Sequence, residues 1–133
     1  MLPGARELLS ALKEQGIPRA VGSSTPRGNL DALFAVTGLD TLFDAVVCGS
    51  DVSHGKPDPE VFLKGAAHLE LNPERCVVVE DAFAGIEAAR RGGMKVVGVA
   101  TTNPLESLRE CDIAVTSLIE VTVTRLADLF SAP

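Results

Sequence analysis

Tryptophan and tyrosine are absent from these 133 residues, and phenylalanine, with five copies, is the only aromatic type. Binding nucleic acid by stacking bases on aromatic platforms therefore has few residues to work with. Positive charge is also scarce: 12 Lys and Arg against 18 Asp and Glu give a formal net charge of −6. Such a surface repels a phosphate backbone, and no nucleic-acid partner is expected. Long apolar runs are missing. No stretch approaches the ~20 residues of a membrane span. The opening residues, Met1-Leu2-Pro3-Gly4-Ala5-Arg6-Glu7, lack the basic-then-apolar order of a signal peptide. No membrane partner is expected either. Cysteine is sparse: Cys48, Cys76 and Cys111 are odd in number and widely spaced, which argues against a disulfide framework and a Cys zinc site. Reduced, mostly buried thiols in a cytoplasmic protein are the expectation.

What is present is aliphatic. Hydrophobic residues make up 46% of the chain, enough for the core of one domain spanning 1–133. Apolar runs alternate with amphipathic stretches. Leu8, Leu9 and Leu12 share a helical face that Gly16 ends, and 18–24 reads as a strand. A helix over 29–36 places Leu30, Leu33 and Phe34 on one side, and 45–48 is a short strand. Asp58-Pro59-Glu60 reads as an N-cap, a first-turn proline and a first-turn acid. Cys76-Val77-Val78-Val79 is a continuous apolar strand ending at Glu80-Asp81, as in a sheet covered on both faces. A helix with Phe83, Ile86 and Ala89 inward follows, closed by Gly92-Gly93. Strands over 95–100 and 113–115 come next, then a final helix over 117–130 weakened by the β-branched run Val121 to Thr124. The order α-β-α-β-α-β-α-β-β-α predicts an α/β, Rossmann-like parallel sheet with helices on both faces. Ligands of such folds gather at the carboxyl ends of the strands.

Three groups lie at those ends. Glu80 and Asp81 are adjacent carboxylates at the mouth of a buried strand, repelling each other unless a cation intervenes; Mg2+ accepts one or two such ligands and keeps waters. The same pair also suits a plain helix cap. Lys56, in Gly55-Lys56-Pro57-Asp58-Pro59, is held in a stiff loop and can neutralise a phosphoryl group or a carboxylate; solvent is the commoner fate of a lysine. Ser23 and Ser24, in Gly22-Ser23-Ser24-Thr25-Pro26, offer hydroxyls and backbone N–H groups to a phosphate, or form an ordinary turn. Thr101, Thr102 and Asn103 are placed at the pocket rim. His54 could contact substrate but is expected as a solvated loop histidine, His68 is expected to be structural, Arg27 is a weak candidate for a substrate phosphate, and Arg90-Arg91 favour the dipole at their helix end.

Taken together the three groups resemble the haloacid-dehalogenase-like superfamily, in the branch of phosphoglycolate phosphatases and β-phosphoglucomutase. Ala20 to Ser24 is similar to its second motif, Gly55 to Phe62 to its third, and Val78 to Ala89 to its fourth. The resemblance implies a Mg2+-dependent phosphatase or phosphomutase of a small phosphorylated metabolite. It assigns Ser23 and Ser24 to phosphate, Lys56 to charge neutralisation, and Asp81 and Glu80 to the metal. A receiver-like signalling domain fits less well, because its acidic pair belongs at the first strand.

The family's Asp-x-Asp-Gly nucleophile motif has no counterpart, for no two aspartates here are spaced by one residue. Asp51 is a poor substitute. The family's first, central strand is also without a match, which predicts open edges on the strands at 18–24 and 76–80. The expectation is a partial core, inactive as this chain, that pairs with an N-terminal segment or with another copy. The alternatives are a non-catalytic phosphate-binding module or one fragment of a split protein. Direct pairing of the two open strands would remove the need for a further one.

Overall fold

The computed structural model describes residues 3–130. Its elements run α1 (Ala5–Glu14), β1 (Ala20–Gly22), α2 (Arg27–Thr37), β2 (Ala45–Val47), α3 (Glu60–His68), β3 (Val77–Glu80), α4 (Phe83–Arg91), β4 (Lys95–Val99), β5 (Ile113–Val115) and α5 (Val123–Asp128). This is the alternation expected from the hydrophobic pattern. All strand pairs are parallel. β4 is central to one sheet, with Val77 of β3 opposite Lys95 and Ile113 of β5 opposite Val97. β1 and β2 form the other sheet, with Ala20 opposite Ala45.

The side-chain period of two in β4 explains why both faces are covered. Val97 and Val99 point into a core shared with Leu8 of α1, Leu126 of α5 and Val115. Val96 points the other way, toward Ala66 of α3 and Ile86 and Ala89 of α4. After Lys95 at its partly exposed start, β4 is buried throughout and holds only Val and Gly. No described helix is long and apolar enough to cross a membrane.

Several local expectations are corrected. The first strand covers only Ala20–Gly22; just before it the Arg19 N–H donates to the Asp44 carboxylate at 3.0 Å instead of to a neighbouring strand's backbone. Phe83 is 52% exposed and Leu33 51% exposed, so the described residues enclose neither in a core. Cys48 is buried, whereas Cys76 and Cys111 are half-buried. α3 starts at Glu60 rather than at Pro59, with the Asp58 carboxylate accepting the Glu60 N–H at 2.9 Å. The 117–130 helix breaks into a short 3-10 turn (Leu118–Glu120) and α5. Thr122 leaves helical geometry there, and its hydroxyl accepts the Arg125 N–H at 3.1 Å, so a β-branched residue serves as an N-cap.

β1 bonds only to β2 and β3 only to β4 among the described residues, so each keeps one open edge. The direct pairing that would have joined the two sheets does not form. α3 packs on both β1 and β2 and also touches α4, and thus spans the two sheets.

Candidate active site

Lys56 is the link between the sheets at their carboxyl ends. Its ammonium donates to the Gly22 carbonyl at the end of β1, at 3.3 Å, and to Glu80 Oε2 at the end of β3, at 3.0 Å. It also lies 4.9 Å from the centre of the Phe62 ring, a cation–π contact. Phe62 in turn sits flat against Gly22: a Cβ there would stand 2.8 Å from Phe62 Cδ1. The Lys56 and Glu80 side chains are 15% and 13% exposed, so the pair is largely out of water and stronger than a surface ion pair. The Lys56–Pro57 peptide is cis.

Glu80 folds back over the start of α4. Its Oε1 accepts the N–H groups of Asp81 at 3.0 Å and Ala82 at 3.2 Å, while Oε2 faces Lys56. The capping role that the sequence allows for Asp81 is not filled: Ala82 takes the N-cap position of α4 with no side-chain cap, and Glu80 bonds the turn just before it. Space for this comes from Gly85, where a Cβ would meet Glu80 Oε2 at 1.9 Å. Asp81 turns the other way. Thr101 and Thr102 donate to its Oδ2 at 3.1 and 3.0 Å, and Asn103 Nδ2 donates to its carbonyl at 3.2 Å. Burial pushes the Asp81 carboxyl up. Its contact with Glu80 and the hydroxyls of Thr102 and Thr101 outweigh that, and the net shift is downward, so it is ionised at neutral pH.

Ser23 follows Gly22 and is half-buried; its Oγ accepts the Thr25 N–H at 3.1 Å in a tight turn, and its own N–H donates to the Val47 carbonyl at 2.9 Å. Ser24 is exposed beside it. Ser23, Lys56, Glu80 and Asp81 thus lie on one edge, with Lys56 bonded to both strand ends. Asp51 does not join them: it accepts the Cys48 N–H at 2.9 Å and pairs with Arg27 at 2.8 Å, which occupies both residues. His54 is exposed, its Nδ1 3.5 Å from Glu60. His68 is exposed in the last turn of α3, and Arg90 and Arg91 pair with Glu110 and Glu87. The larger surface hollow, about 470 Å³, is at the opposite edge, where Lys13, Arg19, Asp44 and His68 line it. Arg19 is consumed there by the Ile17 and Leu42 carbonyls and by Asp44, so the hollow offers no free guanidinium.

One ammonium against two carboxylates leaves the Lys56, Glu80 and Asp81 cluster at net −1. A bare phosphate is repelled by such a cluster and a divalent cation is attracted. The donor set suits Mg2+: the ligating atoms are hard oxygens, and Asp81 Oδ1 takes neither threonine bond. Among the described residues no group of three or more His, Cys, Asp or Glu converges, so protein ligands would be few, which Mg2+ tolerates because it retains waters.

Sequence reasoning missed two features. The threonine pair was read as a rim but is bonded to Asp81. Gly85, in the first turn of a helix where glycine is disfavoured, was the legible signal that something packs against the backbone there.

The family profile described as haloacid dehalogenase-like hydrolase matches residues 1–93. The chain is 40% identical over 118 residues to validoxylamine A 7'-phosphate phosphatase of Streptomyces hygroscopicus subsp. limoneus, covering 89% of this chain and 55% of that protein. It is 39% identical over 124 residues to hexitol phosphatase A of Escherichia coli strain K12, covering 93% and 57%. Among solved structures, a family IA, variant 3 HAD hydrolase from Entamoeba histolytica HM-1:IMSS superposes with a TM-score of 0.89 at 28% identity, over 96% of this chain and 60% of that one. The chain thus spans little more than half the length of each of these three proteins. On its fold, its site residues and these matches, the chain belongs to the haloacid dehalogenase-like hydrolase family.

Proposed function

We propose that this chain is the phosphate- and metal-binding part of a phosphatase or phosphomutase acting on a small phosphorylated metabolite. The observation that carries this reading is Lys56, bonded at once to the end of β1 and to Glu80 at the end of β3, with Asp81 the next residue. Asp81 would hold Mg2+, with Glu80 adding negative charge from beside Lys56. Bound there, the metal would neutralise phosphoryl oxygens. Lys56 would share its ammonium with the phosphoryl group, and Ser23 would donate its hydroxyl, since its Oγ accepts from Thr25 but its proton is uncommitted. Ser24 lies within the same turn. The two relatives named above are both phosphatases by name, which favours the same substrate class.

In-line phosphoryl transfer through a covalent intermediate also needs a nucleophile, and no Asp-x-Asp pair is available in these residues. The open edges of β1 and β3 support completion by one more parallel strand, from a segment outside these residues, ending beside Lys56. The chain by itself should then bind phosphate in the presence of Mg2+ without turning over an aryl phosphate. Turnover by the chain alone that Asp81→Asn abolishes would refute the requirement for a further strand. Sedimentation as a stable dimer would instead assign the open edges to a second copy. The absence of an Asp-x-Asp pair favours a second reading, a binding module without catalysis; a chain completed by that strand that binds phosphate but never turns it over would select it.

A further inference from the structure

Thr101, Thr102 and Asn103 are consecutive, begin one residue past the end of β4, and all bond to one residue at a neighbouring strand end. The two hydroxyls converge on the same Asp81 oxygen, Oδ2, at 3.1 and 3.0 Å, and Asn103 Nδ2 holds the Asp81 carbonyl at 3.2 Å. A carboxylate oxygen has about two acceptor sites. Both sites of Oδ2 are filled by the threonines, and the carboxylate cannot rotate without breaking two bonds. Both threonines are exposed, so burial does not force this arrangement; water could satisfy the hydroxyls equally well. Three partners on an ionised carboxylate and its backbone fix the direction of the remaining oxygen, Oδ1.

We propose that Thr101 and Thr102, braced by Asn103, are positioning residues that aim Asp81 Oδ1 at a divalent cation. The inference rests on Asp81 being a metal ligand. A carboxylate held in one orientation binds a cation without first losing its rotational freedom, whereas a freely turning one pays that entropy on binding.

The probe is Mn2+, followed by electron paramagnetic resonance and displaced with Mg2+, on the whole chain. Replacing Thr101 and Thr102 together by valine keeps shape and removes both hydroxyls. The Mn2+ dissociation constant is expected to rise about 10- to 100-fold. The double serine variant, which restores the hydroxyls, is expected to recover wild-type affinity within about threefold. The metal-free thermal midpoint separates orientation from packing: it should move little, because the hydroxyls are exposed. Each single valine variant serves if the double variant does not fold, with an intermediate loss expected. Wild-type affinity in the valine variants, or a loss that serine does not recover, overturns the inference alone. A wild-type chain that binds no Mn2+, or Asp81→Asn binding as well as wild type, overturns the metal reading and the inference with it.

Discussion

Replacing Gly85 by alanine would test the site through a single methyl group. Gly85 lies in the first turn of α4 with φ outside the left-handed region, so alanine is conformationally acceptable and would by itself favour the helix by up to about 1 kcal/mol. The added Cβ, however, would stand 1.9 Å from Glu80 Oε2, 2.2 Å from Cδ and 2.4 Å from Cγ. All three of these nearest atoms belong to the Glu80 side chain, so that side chain must swing out. It then gives up the Asp81 and Ala82 N–H groups and the ion pair with Lys56. At about 1 kcal/mol net for each of these three partly screened interactions, the loss is about 3 kcal/mol. Set against the helix gain, the variant should be destabilised by about 2 kcal/mol. That corresponds to a thermal midpoint lower by roughly 6–10 °C for a domain of this size. Urea denaturation and a thermal scan monitored by circular dichroism measure it. The decisive comparison is the same substitution in a Glu80→Ala background, where the obstruction is gone and Gly85→Ala should become stabilising. If Gly85→Ala is neutral or stabilising in the wild-type background, Glu80 does not occupy that space and the description of the site fails.

Other outcomes follow from the same geometry. Glu60 is held down to about 2 from its ordinary 4.5, first by the Ser53 N–H; burial, next in size, pushes it up, and Lys64 and the His54 N–H add to the lowering. Because the folded value lies below the unfolded one, the stabilisation is complete above pH of about 4.5 and is lost as the pH falls toward 2. Glu60→Gln should flatten the acid limb of a stability-against-pH curve in that window, and an unchanged limb would count against it. Lys56→Met leaves Glu80 without its cation and should cost about 2 kcal/mol by urea titration; a stabilised variant would mean that the pair's desolvation outweighs its attraction. Inorganic phosphate, followed by phosphorus NMR, should bind weakly or not at all without Mg2+, since the cluster alone is net negative, and equal binding in both conditions would contradict the charge argument. Val97→Ala should cost about 2–3 kcal/mol at a fully buried position, while Val79→Ala, at a strand position 37% exposed, should cost less than about 1.

The layout was legible because hydrophobic period and turn residues act locally. The valine runs of β3 and β4, Gly16 after α1 and Pro59 before α3 each mark an element from its own composition. Gly38, at φ 70, ends α2 where the sequence places its close. What was not legible depends on contacts between distant segments. Leu33 and Phe83 look like core residues by spacing, yet the described residues enclose neither, and no local rule reports whether a neighbour exists. The same holds in the site. That Lys56 and Glu80 belong together was readable as motif order, but which carboxylate folds back onto the turn before α4 was not. Asp81 and Glu80 both have the chemistry for it, and the choice is made by a missing methyl at Gly85 and by two hydroxyls 20 and 21 positions away.

The bond from Lys56 to both strand ends has a mechanical consequence. Among the described residues the two sheets share no backbone ladder, so this one ammonium is a rivet between two plates that the helices α3 and α1 also hold. An anion that draws the ammonium toward itself loosens the rivet as it binds, and filling the pocket softens the joint beneath it. Amide exchange at Ser23 and Asp81, quickened by phosphate with Mg2+ relative to Mg2+ alone, is where that softening would register; slower exchange would mean that the anion tightens the joint instead.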